Sequence, residues 1–117
     1  MVMAEEKTLF QKIEAGIIPA KIEFQDDRCF VIRDINPQAP LHLLVIPRRV
    51  IAHLSVATEQ DEALIGHLLL VARDMALKLG FKDGFRTVIN NGHMAGETVP
   101  HLHVHVLAGR QLSWPPG

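Results

Sequence analysis

The sequence predicts an α+β fold: an antiparallel sheet with one long and one short helix, in a single domain. Three observations carry the prediction. Short apolar runs are separated by tight Pro, Gly and Asp breaks, as in sheets built from neighbouring hairpins. One much longer stretch, between Thr58 and Gly80, keeps a helical period. Near the end, His101-Leu102-His103-Val104-His105-Val106 alternates at every second position. At 117 residues, the chain is one domain over 1–117, able to bury roughly two-thirds of its unfolded surface. Residues 1–7 read as a flexible N-terminus and 109–117 as a C-terminal tail.

Each element has a local reason. Thr8-Leu9-Phe10-Gln11 has the form of a capping box, with Thr8 as N-cap and Gln11 three residues on. Leu9, Phe10 and Ile13 share one side of the short helix that follows, and Gly16 stops it. Pro19 introduces an extended piece, Lys21 to Gln25. Asp26-Asp27-Arg28 turns the chain into a strand from Cys29 to Asp34. Asn36 to Pro40 breaks that strand, and Leu41 to Ile46 is a nearly continuous apolar run interrupted by His42 and ended by Pro47. Thr58 caps a helix expected over 59–79. Leu64, Ile65, Leu68, Leu69, Ala72, Met75, Ala76 and Leu79 form its stripe. Ala63, Leu70, Val71 and Leu77 widen the stripe beyond what one sheet needs, which predicts packing against a second copy of the chain. Phe85 to Asn90 is the next strand. A glycine-containing loop then leads to the histidine strand.

Composition excludes several classes. Apolar residues make up 48% and charged residues 21%, which is ordinary for a globular protein. Net charge is −1 with neutral histidines, and basic residues do not cluster, so no nucleic-acid partner is expected. No run approaches the ~20 apolar residues of a membrane span, and the first residues lack a signal-peptide core. Cys29 is the only cysteine, which excludes an internal disulfide and any Cys-x-x-Cys zinc site. The expected location is cytoplasmic, or also nuclear in a eukaryotic source.

Three of the seven histidines lie in the alternating run. In a strand, His101, His103 and His105 would share one face, about 6.5–7 Å apart, with Leu102, Val104 and Val106 buried on the other. A lone histidine such as His53 or His67 reads as structural or simply exposed; three in register imply a site. One reading is a metal centre, with His42 or His93 adding a ligand, although carboxylates are sparse nearby. The other is nucleophilic or acid–base catalysis, since histidine can carry a phosphoryl group through a P–N bond. Gly92, Gly96 and Thr98, just ahead of the run, suit a loop that turns backbone N–H groups toward an anion.

The pattern His-φ-His-φ-His-φ-φ, with φ apolar, resembles the signature of the histidine triad (HIT) family. Ile18-Pro-Ala-Lys21, Asp26-Asp27-Arg28-Cys29, Asp34-Ile-Asn-Pro-Gln-Ala-Pro40, Val45-Ile-Pro47 and Trp114-Pro-Pro-Gly117 are similar to the HINT branch, the histidine triad nucleotide-binding proteins. The resemblance implies a homodimer whose two five-stranded sheets join. It implies hydrolysis of purine nucleoside 5′-phosphoramidates of the AMP-NH2, AMP-lysine or aminoacyl-adenylate type, without metal or cofactor. An alternative from a different class is a nucleotide-binding regulatory module with only incidental hydrolysis.

Residue roles follow from the resemblance. His103 would be the nucleophile, His105 would face the phosphate, and His101 and His42 would orient the nucleophile and relay protons. Asn90, Gly96, Glu97, Thr98, Val99 and His105 would line the phosphate. Asp34 would accept from the ribose hydroxyls, and Leu9, Phe10, Ile13, Ile32, Ile35 and Leu44 would hold the base. Trp114 would reach the partner's pocket. Glu97 departs from the family's usual glutamine, placing a carboxylate where an amide could donate to the leaving group; a modest effect on rate is expected.

Overall fold

The computed structural model describes residues 7–117; the expectation of a flexible N-terminus lies, apart from Lys7, outside the described residues. Five strands form one sheet: β1 (Ile22–Gln25), β2 (Cys29–Arg33), β3 (Leu41–Pro47), β4 (Phe85–Val88) and β5 (Val104–Ala108). All neighbouring strands pair antiparallel, in the order β1, β2, β3, β5, β4. Among the described residues, two α-helices complete the fold, α1 (Leu9–Glu14) and α2 (Glu62–Lys78).

The period of two along the strands sorts side chains onto two faces. Cys29, Val31, Leu41, Leu43, Val45, Val104 and Val106 point to one face, where Leu68, Ala72, Met75 and Ala76 of α2 cover them. Phe30, Ile32, Leu44 and Ile46 point to the other, against Phe10 and Ile13 of α1. Burying each large side chain contributes about 1.5–3 kcal/mol relative to exposure. The α1 face is only partly covered by apolar groups, which leaves room for histidines. Leu69, Leu70 and Leu77 remain exposed on α2; these belong to the wide stripe read from the sequence.

The local signals work as expected at α1. Thr8 and Gln11 make both bonds of the capping box, and Ala15 ends the helix before Gly16 turns with φ +78°. At α2 the sequence boundary shifts. Thr58 caps a 3₁₀ turn over Glu59–Asp61, and the α-helix starts only at Glu62. The turn is held by Asp61, which is buried and accepts from the Thr58 N–H and the Arg49 guanidinium. No helix among the described residues is long and apolar enough to cross a membrane.

One strand boundary matters for the site. The regular strand was expected from His101, yet β5 begins at Val104. The reason lies on the neighbouring strand. Val104 pairs with Val45, so Leu102 would face Pro47, which has no N–H to offer. Leu102 instead donates its own N–H to the carbonyl of Ile51, and His101 donates to Val99. Likewise Asp34 and Asn90 lie just past the ends of β2 and β4, not inside them.

Candidate functional site

The triad survives the shortened strand as one contiguous group. The His103 and His105 ring centroids are 5.0 Å apart, and His42 reaches His105 from β3 at 5.2 Å. Phe10 of α1 packs edge-on against both His101 and His103, at 5.5 and 4.9 Å. Leu102 and Val104 turn the other way, into the α2 core.

Hydrogen bonds give each ring a distinct proton pattern. His101 is fully buried. Its Nε2–H donates to the Pro47 carbonyl at 2.8 Å, so Nδ1 accepts from the Thr8 hydroxyl at 2.7 Å. The same hydroxyl accepts the Gln11 N–H, which ties the cap of α1 to the triad. Burial pushes the His101 pKa down, which suits a neutral ring that both donates and accepts. His103 donates from Nδ1 to the His101 carbonyl at 2.6 Å. A carbonyl only accepts, so the lone pair of the neutral ring sits on Nε2.

The second chain of bonds fixes His105. The backbone N–H of Gln38 donates to His42 Nδ1 at 3.0 Å, which leaves the proton of neutral His42 on Nε2. That N–H faces His105 Nδ1 at 2.9 Å, with Asp34 Oδ2 3.4 Å away. His105 Nδ1 therefore accepts, and its proton sits on Nε2. Burial, followed by the nearness of His103 and His42, lowers the His105 pKa to about 4. Burial also lowers that of His42, against the opposing pull of Asp34. The group thus presents a nucleophilic nitrogen on His103 beside an N–H donor on His105.

The same bonds bear on metal binding. Atoms of Asp34, His42 and His105 lie within 4.8 Å of one another, as do atoms of Asp26, Cys29 and His67. A neutral histidine bound to metal through Nε2 carries its proton on Nδ1. In His42 that atom already receives the Gln38 N–H, and in His67 it receives the Arg28 guanidinium. A proton on either would face another N–H, so neither cluster fits a resident cation. Cys29 is buried too, and burial followed by the Asp26 charge raises its thiol to about 12.

The remaining expected residues divide. Phe10, Ile13, Ile32 and Leu44 form one buried cluster beside the triad. Leu9 is half exposed and Ile35 is 96% exposed, outside that cluster. Asp34 Oδ1 accepts the Asn36 N–H. Asn90 is half-buried beyond β4, and Val99 packs on the α1-side cluster. Thr98 and Val99 N–H groups meet no acceptor among the described residues. Glu97 turns its carboxylate back, accepting from the Gly92 N–H and from His53. Trp114 is 83% exposed. Sequence reading missed Thr8 as a triad partner, Gln38 as the donor to His42, and His53. The first had a visible signal, the capping box; the other two depend on contacts across loops.

Residues 15–112 match the HIT domain model. An uncharacterised HIT-like protein of Synechocystis is 55% identical over 115 residues, covering 98% of this chain and 100% of the relative. A HIT family hydrolase from Legionella pneumophila superposes with a TM-score of 0.92 at 42% identity, over 95% of this chain and 100% of that one. A histidine triad nucleotide-binding protein from Candida albicans does so at 0.75 and 27% identity, over 93% and 83%. With its histidine constellation gathered on the α1 side of a five-stranded antiparallel sheet, this chain belongs to the HIT domain family.

Proposed function

We propose that the chain hydrolyses purine nucleoside 5′-phosphoramidates through a nucleotidyl-histidine on His103, as a member of the HINT branch. The observation that carries this reading is the bond from His103 Nδ1 to the His101 carbonyl. It leaves Nε2 as the attacking lone pair and holds the ring in one orientation, which lowers the entropic part of the barrier.

In the first step His103 Nε2 forms a bond to the α-phosphorus while the P–N bond to the amine breaks. The departing nitrogen takes up one proton. Water then attacks the phosphorus, the bond to His103 breaks, and one proton is returned. The net change is addition of one water, giving nucleoside monophosphate and amine. His105 Nε2–H donates to a phosphoryl oxygen, where charge develops in the transition state. Backbone N–H groups of Thr98 and Val99, with Gly96 shaping the turn and Asn90 beside it, take the other oxygens. Asp34 accepts from the ribose. Phe10, Ile13, Ile32 and Leu44 line the base slot, with Leu9 and Ile35 at its open rim. A second copy brings Trp114 and the tail 109–117 to the pocket. The name of the Candida relative, a nucleotide-binding protein, agrees with the ligand class.

The test is steady-state turnover of an adenosine phosphoramidate by chelator-treated protein, alongside affinity for AMP. Turnover lost in His103→Ala supports the reading. Tight AMP binding with negligible turnover would instead identify a nucleotide-sensing module, and activity restored only by added metal would favour a metal centre.

A further inference from the structure

Glu97 occupies the loop that leads into the triad, and its surroundings differ from those of a phosphate-facing side chain. The carboxylate is 5% exposed, whereas His53 opposite it is 39% exposed. Its Oε1 accepts from the Gly92 N–H at 3.1 Å and from His53 Nδ1 at 2.5 Å. The Glu97 N–H in turn donates to the Gly92 carbonyl at 3.2 Å, which closes residues 92–97 into a ring. Gly92 and Gly96, with φ of +86° and +89°, supply the left-handed corners of that ring.

The segment carrying His53 braces the loop elsewhere as well. Ser55 donates its N–H to Asn91 Oδ1 at 2.8 Å, and the Ile51 carbonyl accepts the Leu102 N–H at 2.6 Å. Segment 51–55 therefore grips the loop before, within and after residues 92–97. Thr98 and Val99 follow Glu97 directly, so their N–H groups move with it.

We propose that Glu97 is a positioning residue whose bonds to His53 and Gly92 hold the Thr98 and Val99 N–H groups in place for phosphate. The carboxylate points into its own loop, and two donors answer its charge, so it does not confront the phosphate. This inference rests on the phosphate loop of the proposed function.

Five variants of the full chain test it: Glu97→Ala, Glu97→Gln, His53→Ala, the Glu97→Ala/His53→Ala double variant, and His53→Gln, which keeps a donor. AMP affinity, KM and kcat for an adenosine phosphoramidate, and amide exchange at Gly92 are measured. The expected result for Glu97→Ala is about tenfold weaker AMP binding and a KM raised by the same factor. A near-constant kcat goes with it, since uniform binding is what the loop supplies. His53→Ala behaves alike, the double variant is no worse than either single one, and His53→Gln recovers most of the affinity. Faster Gly92 exchange accompanies each loss. AMP affinity unchanged in Glu97→Ala overturns the proposal, as do additive effects in the double variant. So does a Glu97→Gln turnover raised by orders of magnitude, which would mean the carboxylate acts on the phosphate. If the wild-type chain neither binds AMP nor turns over, the functional reading fails, while Gly92 exchange still decides whether the bonds hold the loop.

Discussion

His42 and His105 meet Nε2 to Nδ1 at 2.9 Å across the β3–β5 pair, and the Gln38 N–H on the far side of His42 sets the direction of that bond. One backbone donor thereby decides that His105 offers an N–H to the site. His42→Ala removes the donor and leaves His105 free to take the other tautomer. The expected result is a kcat about 100-fold lower, with AMP affinity much less affected. Steady-state kinetics beside AMP titration separates the two.

Neutral buried histidines make the protein sensitive to mild acid. In the native chain burial, then neighbouring histidines, lowers His105 to about 4, and burial lowers His42 and His101 in the same direction. An unfolded histidine takes up its proton near 6.5. Between these values the unfolded chain binds more protons, so stability is full above about pH 6.5 and declines as the pH falls toward 4. His105 alone accounts for about 3 kcal/mol across that window. Urea unfolding at pH 7.5, 6, 5 and 4.5 measures the slope, and His105→Asn flattens it.

Thr8 serves two structures with one hydroxyl. It accepts the Gln11 N–H at 3.1 Å to cap α1 and donates to His101 Nδ1 at 2.7 Å. Thr8→Ala loses the cap, worth about 1 kcal/mol, and orphans a buried ring nitrogen, worth about 1–3 kcal/mol more. Thr8→Ser keeps both bonds. Thermal or urea unfolding of the two variants therefore differs by about 2–4 kcal/mol.

Much of this was legible locally. The Thr8 cap, the hairpin turn at Asp26 and the alternation from Val104 onward depend on neighbours in sequence, so residue type alone reveals them. The start of β5 was not legible, because it is set by Pro47 on another strand. The Thr8–His101 bond spans 93 residues and the His53–Glu97 bond spans 44. His53 looked like an isolated histidine, and only the folded loops give it a partner. The family resemblance supplied what each triad member should do; the tautomers came from bonds to Pro47, Gln38 and the His101 carbonyl.

Gly109 lies at the end of β5 with φ +96°, and a Cβ there would sit 2.8 Å from Pro40 Cβ and 3.2 Å from Phe81 Cε1. Gly109→Ala combines a left-handed backbone penalty with overlap, for about 3 kcal/mol of lost stability in urea. Pro40 closes the segment that carries Gln38, and Arg110 donates to the Gln38 carbonyl. Turnover in this variant is expected to fall beyond the unfolded fraction, through a displaced Gln38 and a loosened His42.

The most direct measurement is rapid acid-free quenching of the protein with an adenosine phosphoramidate, followed by digestion and mass spectrometry of the peptide containing residues 101–105. Nucleophilic attack by His103 predicts an adenylyl group on that residue and none on His101 or His105, and no adduct anywhere in His103→Ala. An adduct on either other histidine, or full turnover by His103→Ala, would contradict it.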